Sequence, residues 1–322
     1  MSSNDMHMTL KSRKTFGGNS LKKDTISENI TCYLLIATQI IGFLVLTIYP
    51  IIWTFRWAFY YYNLTPSDTV FTGLDNFIKI FTNEPMYWQA WKNTILFAVV
   101  KICLELPLAL CIAVVLSKLK QVGNFFRALY FLPHIISVAI IGLIFSNMFD
   151  YFGIINGFLM KLGIVETNIN WFENRGTAMA IVILCSLWNT FGMNVLYFSA
   201  AVANVPEELY ESARLEGAGA VTMFFKITLP MIAPVLQTVL LLSIVGSLQT
   251  NDLILVLTNG APAGGTFTVN SYLTHNFAPG FFTGEIMPNI GYGSSLSLIS
   301  AVILGFIAFG YSKLSARLQN IY

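Results

Sequence analysis

Two sets of polar residues stand inside stretches that are otherwise apolar. Between residues 231 and 258, Ser243, Ser247 and Thr250 recur at steps of four and three. On a helix this confines them to about 60° of arc, and Gly246 and Asn251 widen the stripe. Between 177 and 203, Trp188, Asn189 and Thr190 are followed one turn later by Met193. Hydroxyls and amides of this kind do hydrogen-bond chemistry. They either join one helix to another in an apolar medium or receive a hydroxylated solute, with the indole ring offered to its apolar face. On the same helix Asp252 falls opposite the hydroxyl stripe. Lys101 and Glu105, at i and i+4, neutralise each other. His134 follows Pro133 and reads as a packing residue at a kink.

Acid–base, nucleophilic and metal chemistry find no support. Three histidines, at 7, 134 and 275, are far apart, and the four cysteines show neither metal nor disulfide spacing. Cys32, Cys103, Cys111 and Cys185 are expected to be buried small hydrophobes. There is no Gly-x-x-x-x-Gly-Lys-Ser/Thr segment, so this chain does not cradle nucleotide phosphates. It reads as a non-enzyme.

The segment 204–234 is polar and has deliberate helix ends. Pro206 suits the first helical position, with Glu207 and Glu208 complementing the helix dipole there. Gly217 and Gly219 can close the helix in a left-handed cap. Leu209, Ala213 and Gly217 lie four apart, giving a face that becomes small and lets another surface approach the backbone. Glu211 and Arg214 flank that face. An amphipathic helix lying at the headgroups is the plainer reading, but Glu207, Glu208, Glu211 and Glu216 against Arg214 make it acidic, which an anionic leaflet disfavours. A protein partner fits better.

The elements that position these residues are membrane spans. Apolar residues are 55% of the 322 and charged residues 11%, against about 25% charged in a soluble domain; mean hydropathy is +0.66. Six segments, 33–59, 91–117, 127–149, 177–203, 231–258 and 291–313, are each long enough to cross about 30 Å. The first is too long for a signal-peptide core and is expected to be retained. Residues 1–29 form a polar basic tail and 30–322 one membrane domain, with its cytoplasmic loop at 204–230. Twelve of the eighteen Lys and Arg residues fall in the tail, the second-to-third and fourth-to-fifth connections and the C-terminus. The positive-inside rule therefore puts both termini in the cytoplasm. A net charge of +2 is too small to suggest nucleic acid.

Glu211-Ser212-Ala213, three residues, Gly217, then Ile227-Thr228-Leu229-Pro230 resembles the Glu-Ala-Ala…Gly…Ile-x-Leu-Pro loop of permease subunits in binding-protein-dependent ABC importers. Phe71 to Phe77, Phe131-Leu132-Pro133-His134, Leu257 to Pro262 and Gly291-Tyr292-Gly293 resemble the carbohydrate branch, MalF-like and UgpA-like permeases. The resemblance spans about residues 30–315. Ser212 stands for alanine, Glu216 for aspartate and Ala261 for glycine, and the external insertion of some maltose-type members is absent.

The resemblance implies an all-α integral membrane protein with the type I ABC importer permease fold, in a bacterial cytoplasmic membrane. It implies a second homologous permease, two ATPase domains that bind ATP and Mg, an extracytoplasmic solute-binding protein and surrounding lipid as partners. No cofactor is expected on this chain itself. Carried over, Glu211, Ala213 and Gly217 match the coupling helix, with Glu207, Glu208, Arg214, Glu216 and Gly219 beside them. Asn189 and Ser243, with their neighbours, match segments that line a sugar path. Few charged side chains there favour a neutral ligand. A gradient-driven secondary transporter of a small polar solute, using Lys101 and Glu105 as a relay, is the alternative.

Overall fold

The computed structural model describes residues 32–119, 123–278 and 289–319. The tail 1–29, with its basic residues and His7, lies outside them, as do Lys120 and part of the external loop expected at 259–290. The described chain divides into two units on either side of residues 57 and 58. In the first, α1 (Cys32–Trp57) is an uninterrupted apolar helix with one wide turn at Leu44–Ile48. None of its residues is buried.

In the second unit a small hairpin, β1 (Tyr60–Tyr61) with β2 (Val70–Phe71), pairs Tyr60 with Phe71 and Tyr61 with Val70. It leads into the amphipathic helix α2 (Asp75–Asn83). The Asn76 amide donates to the carbonyls of Ala58 and Tyr60, tying that helix back to the hairpin. The long helices α3 (Pro85–Ser117) and α7 (Arg175–Ala203) pack along each other and carry half of the buried side chains among the described residues. Around them lie α4 (Gly123–Ile135), α5 (Val138–Met148), α6 (Ile154–Lys161), α8 (Glu207–Leu215), α9 (Ala220–Met231), α10 (Ala233–Leu248), α11 (Asp252–Leu257), α12 (Val269–Phe277) and α13 (Ile290–Gln319).

Among the described residues four helices are long and apolar enough to cross a membrane, and the number reaches six when each of two bent pairs counts as one span. The expected span 127–149 breaks after Ile135, where α4 and α5 meet at 90°. Pro133, next to the break, cannot continue the amide ladder. The expected span 231–258 is likewise not one helix. α9 and α10 meet at 72° around Ile232, between Pro230 and Pro234. A second break at Gln249–Asn251 separates α10 from α11. Hydropathy averages over a window and does not register these bends.

The cysteine expectation holds for Cys185 alone, since Cys32, Cys103 and Cys111 are exposed. An apolar side chain on a spanning helix is equally at home against lipid, so apolarity does not imply burial there.

The apolar core has two parts. One gathers Tyr87, Phe97, Ile141, Val182 and Ile254, the other Leu106, Leu110, Val195, Phe198 and Val239. Both α3 and α7 contribute to each part, and at the junction they bury Lys101 and Glu105 on α3 and Ser186, Asn189 and Asn194 on α7. The connection after α11 is pinned to α3. Asn93 donates to the carbonyls of Gly265 and Phe267 and accepts from Arg175 at 2.6 Å. A Cβ at Gly260, whose φ is +81°, would collide with the Phe267 ring.

Candidate functional site

A cavity of about 430 Å³ opens at this junction, between α3, α4, α5, α7, α10 and α11. Asn189, Thr190, Met193, Ser243, Gly246, Thr250 and Asn251 all line it. Two expected residues do not. Trp188, one residue round α7, packs its ring on Phe145 at 5.7 Å and is 42% exposed. Ser247 is fully buried, with no hydrogen-bond partner for its hydroxyl.

The structure adds residues that the stripes omitted. Lys101 and Glu105 face the cavity from the middle of α3; Lys101 is the central residue of its 33. Their i, i+4 ion pair is present, with Nζ 3.6 Å from Oε2. It is not self-contained, because Glu105 Oε1 accepts from Thr190 Oγ1 at 2.6 Å and from Asn194 Nδ2 at 2.7 Å. Ser186, Asn194 and Tyr197 also line the cavity. With Thr190 they fall at steps of four, four and three, a helical stripe that was legible in the sequence.

Asp252 corrects the helical-wheel reading. On an unbroken helix it would face away from Ser243, but Asn251 (φ −136°, ψ −70°) ends the run and Asp252 opens α11 toward the cavity. Its carboxylate accepts from the Asn251 amide at 3.0 Å. The cavity therefore holds three formally charged groups, more than the expected few. His134 is at the kink, as expected, and also lines the cavity. Its Nδ1 lies 3.3 Å from the Asn189 carbonyl, while the Asn189 amide donates to the Pro133 carbonyl at 3.1 Å.

The second set of residues forms α8. Pro206 is the residue before the helix rather than its first, with ψ 129°. At the other end the Ala218 amide donates to the Ala213 carbonyl and the Gly217 amide to that of Arg214, at 2.9 and 3.0 Å. Together these two bonds are a Schellman closure, with Gly217 at φ +82° as the left-handed residue. Gly219 plays no part in that cap. It is extended (φ −76°, ψ 165°) and starts α9.

No residue of α8 is buried. Glu207, Tyr210 and Arg214 share one side and line a second cavity of about 440 Å³ with Lys118 and Arg127. The Tyr210 hydroxyl is 2.8 Å from that of Thr228, which ties the helix to the wide turn Phe224–Thr228. Glu208, Glu211 and Leu215 are exposed, Leu215 at 91%, and Ala213 is half-buried. Glu207 and Arg214 line that cavity and are exposed as well.

Known proteins share this chain's sequence and fold. It is 32% identical over 298 residues to the arabinooligosaccharides transport system permease protein AraP of Bacillus subtilis, covering 91% of each chain. It is 29% identical over 283 residues to the trehalose/maltose transport system permease protein MalF of Thermococcus litoralis, covering 87% of this chain and 92% of that one. Among solved structures it superposes on a chain of a bacterial ABC transporter involved in import of the acidic polysaccharide alginate. The TM-score is 0.79 at 22% identity, covering 92% of this chain and 99% of that one. The family model for the binding-protein-dependent transport system inner membrane component matches residues 105–318, which take in α8 and every residue lining the cavity except Lys101, and the protein is a multi-pass inner membrane permease of that family.

Proposed function

We propose that this chain is one of two permease halves of an ATP-driven importer that carries a sugar or oligosaccharide into the bacterial cytoplasm. The single observation that carries this reading beyond the family is α8. It is closed at its C-terminus and tethered through Tyr210, yet none of its residues is fully buried. Helices this short are not stable by propensity alone, so an exposed and ordered one is a surface awaiting a partner.

An ATPase groove suits it. Glu208, Glu211 and the small positions Ala213 and Gly217 would meet the ATPase, which supplies ATP and Mg. Nucleotide-driven closure would then pull α8 and switch the spans between two discrete packings. The cavity, lined by hydroxyl and amide groups, would pass the solute released by an extracytoplasmic binding protein. The carbohydrate class is drawn from the names of the arabinooligosaccharide and trehalose/maltose relatives. In this reading α8 and both termini face the cytoplasm, with the basic tail 1–29 preceding a membrane domain of 30–322 whose coupling loop is 204–230.

Affinity purification from native membranes in mild detergent tests the assembly. A P-loop ATPase and a second permease in stoichiometric yield are expected. A homo-oligomer with neither partner at any salt concentration would overturn the reading in favour of gradient-driven transport.

A further inference from the structure

The Lys101–Glu105 pair is left half-satisfied in a way that matches one class of ligand. Glu105 is fully buried and Lys101 is 5% exposed. Glu105 Oε1 is saturated by Thr190 and Asn194, whereas Oε2 has no hydrogen-bond partner. Lys101 Nζ stands 3.6 Å from Oε2, beyond the roughly 2.7–2.9 Å of a charge-assisted hydrogen bond. A buried carboxylate oxygen without a partner is costly, and this one belongs to a side chain lining the cavity.

We propose that Lys101 and Glu105 form a subsite for a hydroxyl group of a neutral carbohydrate in the translocation cavity. One hydroxyl accepts from the Lys101 ammonium through a lone pair and donates its proton to Glu105 Oε2, completing both groups at once. A carboxylated or phosphorylated solute gains from Lys101 but meets Glu105 and Asp252, both on the cavity wall. A cationic solute gains from the acids but meets Lys101. A hydroxyl is both donor and acceptor and carries no charge to repel, so it alone suits both halves of the pair. This subsite rests on the carbohydrate reading and narrows it to neutral members. Proteins of the same fold or family include an importer of an acidic polysaccharide and a sn-glycerol-3-phosphate permease, so neutrality is not given by the family.

The test is uptake of labelled arabinotriose, maltotriose and trigalacturonate by cells that lack other importers for them and express the complete importer. The chain is wild-type, Lys101→Met or Glu105→Gln. Glutamine keeps an oxygen for Thr190 and Asn194 and replaces the Oε2 acceptor, with the negative charge, by an uncharged amide NH2. Membrane abundance and ATPase co-purification are measured for each variant, so that uptake is expressed per assembled complex. Neutral uptake is expected to fall about tenfold in both variants, the loss of one hydrogen bond to a charged group. The ratio of acidic to neutral uptake should rise in Glu105→Gln and fall in Lys101→Met, because the two changes leave opposite net charges on the wall.

A purely structural pair would lower all three sugars by one factor and leave that ratio unmoved, which would overturn the subsite. Wild-type preference for trigalacturonate would overturn its neutrality while leaving the carbohydrate reading intact. Wild-type uptake of none of the three would remove the carbohydrate reading, and the subsite with it.

Discussion

The side-chain amide of Asn194 on α7 donates to Glu105 Oε1 on α3 at 2.7 Å, and both residues are buried. This bond crosses the seam between the two long helices at the level of the cavity. It fixes Oε1 and so aims Oε2 toward the space beside Lys101. Replacing Asn194 by Leu leaves Oε1 with Thr190 alone.

The expected cost of Asn194→Leu is about 1–3 kcal/mol by the usual price of a lost bond to a charged group, and nearer 1 if the unfolded chain in the membrane finds other partners. The denaturation midpoint of the purified protein in detergent reads it. An unchanged midpoint would mean that the bond contributes nothing to the α3–α7 seam.

Gly192 sets how closely α4 approaches α7. A Cβ there would run into the Tyr130 carbonyl and the Phe131 amide, which are backbone and cannot rotate away. Gly192→Ala is therefore expected to destabilise by about 1–3 kcal/mol or more, with a lower thermal midpoint on fluorescence-detected gel filtration. Gly246, on the open wall of the cavity, has nothing within 4 Å of its notional Cβ, and Gly246→Ala should leave that midpoint in place.

Exposed positions of α8 should separate transport from assembly. Glu211→Lys and Gly217→Trp are expected to insert normally and to lower uptake by about tenfold or more, within the range of ordinary coupling energies. Gly217→Trp also forces a bulky residue into φ +82°, which costs about 1 kcal/mol of helix closure by itself. Glu211→Lys carries no such strain and is the cleaner of the two. Normal uptake in both would dismiss α8 as the coupling element.

Tyr272 and Glu84 lie outside the candidate spans; the Tyr272 hydroxyl donates to Glu84, whose other oxygen accepts from Tyr292, near the start of α13, at 2.9 Å. Burial first, and then the Glu84 carboxylate, hold the Tyr272 phenol above its ordinary value of 10.0. A raised folded-state value means that the stabilisation is complete below the unfolded value and is lost as pH climbs above it. Above about pH 10, and not below it, the wild-type unfolding midpoint should fall more steeply than that of Tyr272→Phe. Parallel curves would show that the phenol does not contribute.

The apolar stretches, the acidic helix with its glycine closure and the family motif were legible in the sequence because each is a local property. Twenty apolar residues announce a span wherever it packs, and a left-handed glycine three residues past Arg214 announces a helix end from its immediate neighbours. The hydroxyl and amide stripes were legible for the same reason, helical period, and seven of the nine residues they contained share one cavity. Trp188 and Ser247 did not follow, since a stripe about 60° wide does not say where on its arc the opening falls. Gly219 did not follow either, because extended backbone there serves the start of α9.

Only the tertiary structure decided what lies between helices. The break at Asn251 turns Asp252 into the cavity, and the register of α7 on α3 delivers Thr190 and Asn194 to a single oxygen of Glu105. Both depend on residues about 85 or more positions apart in sequence, or on a bend that averaged hydropathy does not feel. The physical reason is that spanning helices share the same apolar surface toward lipid and toward one another. Apolarity therefore places a residue in the membrane, and only packing decides which neighbour it meets there.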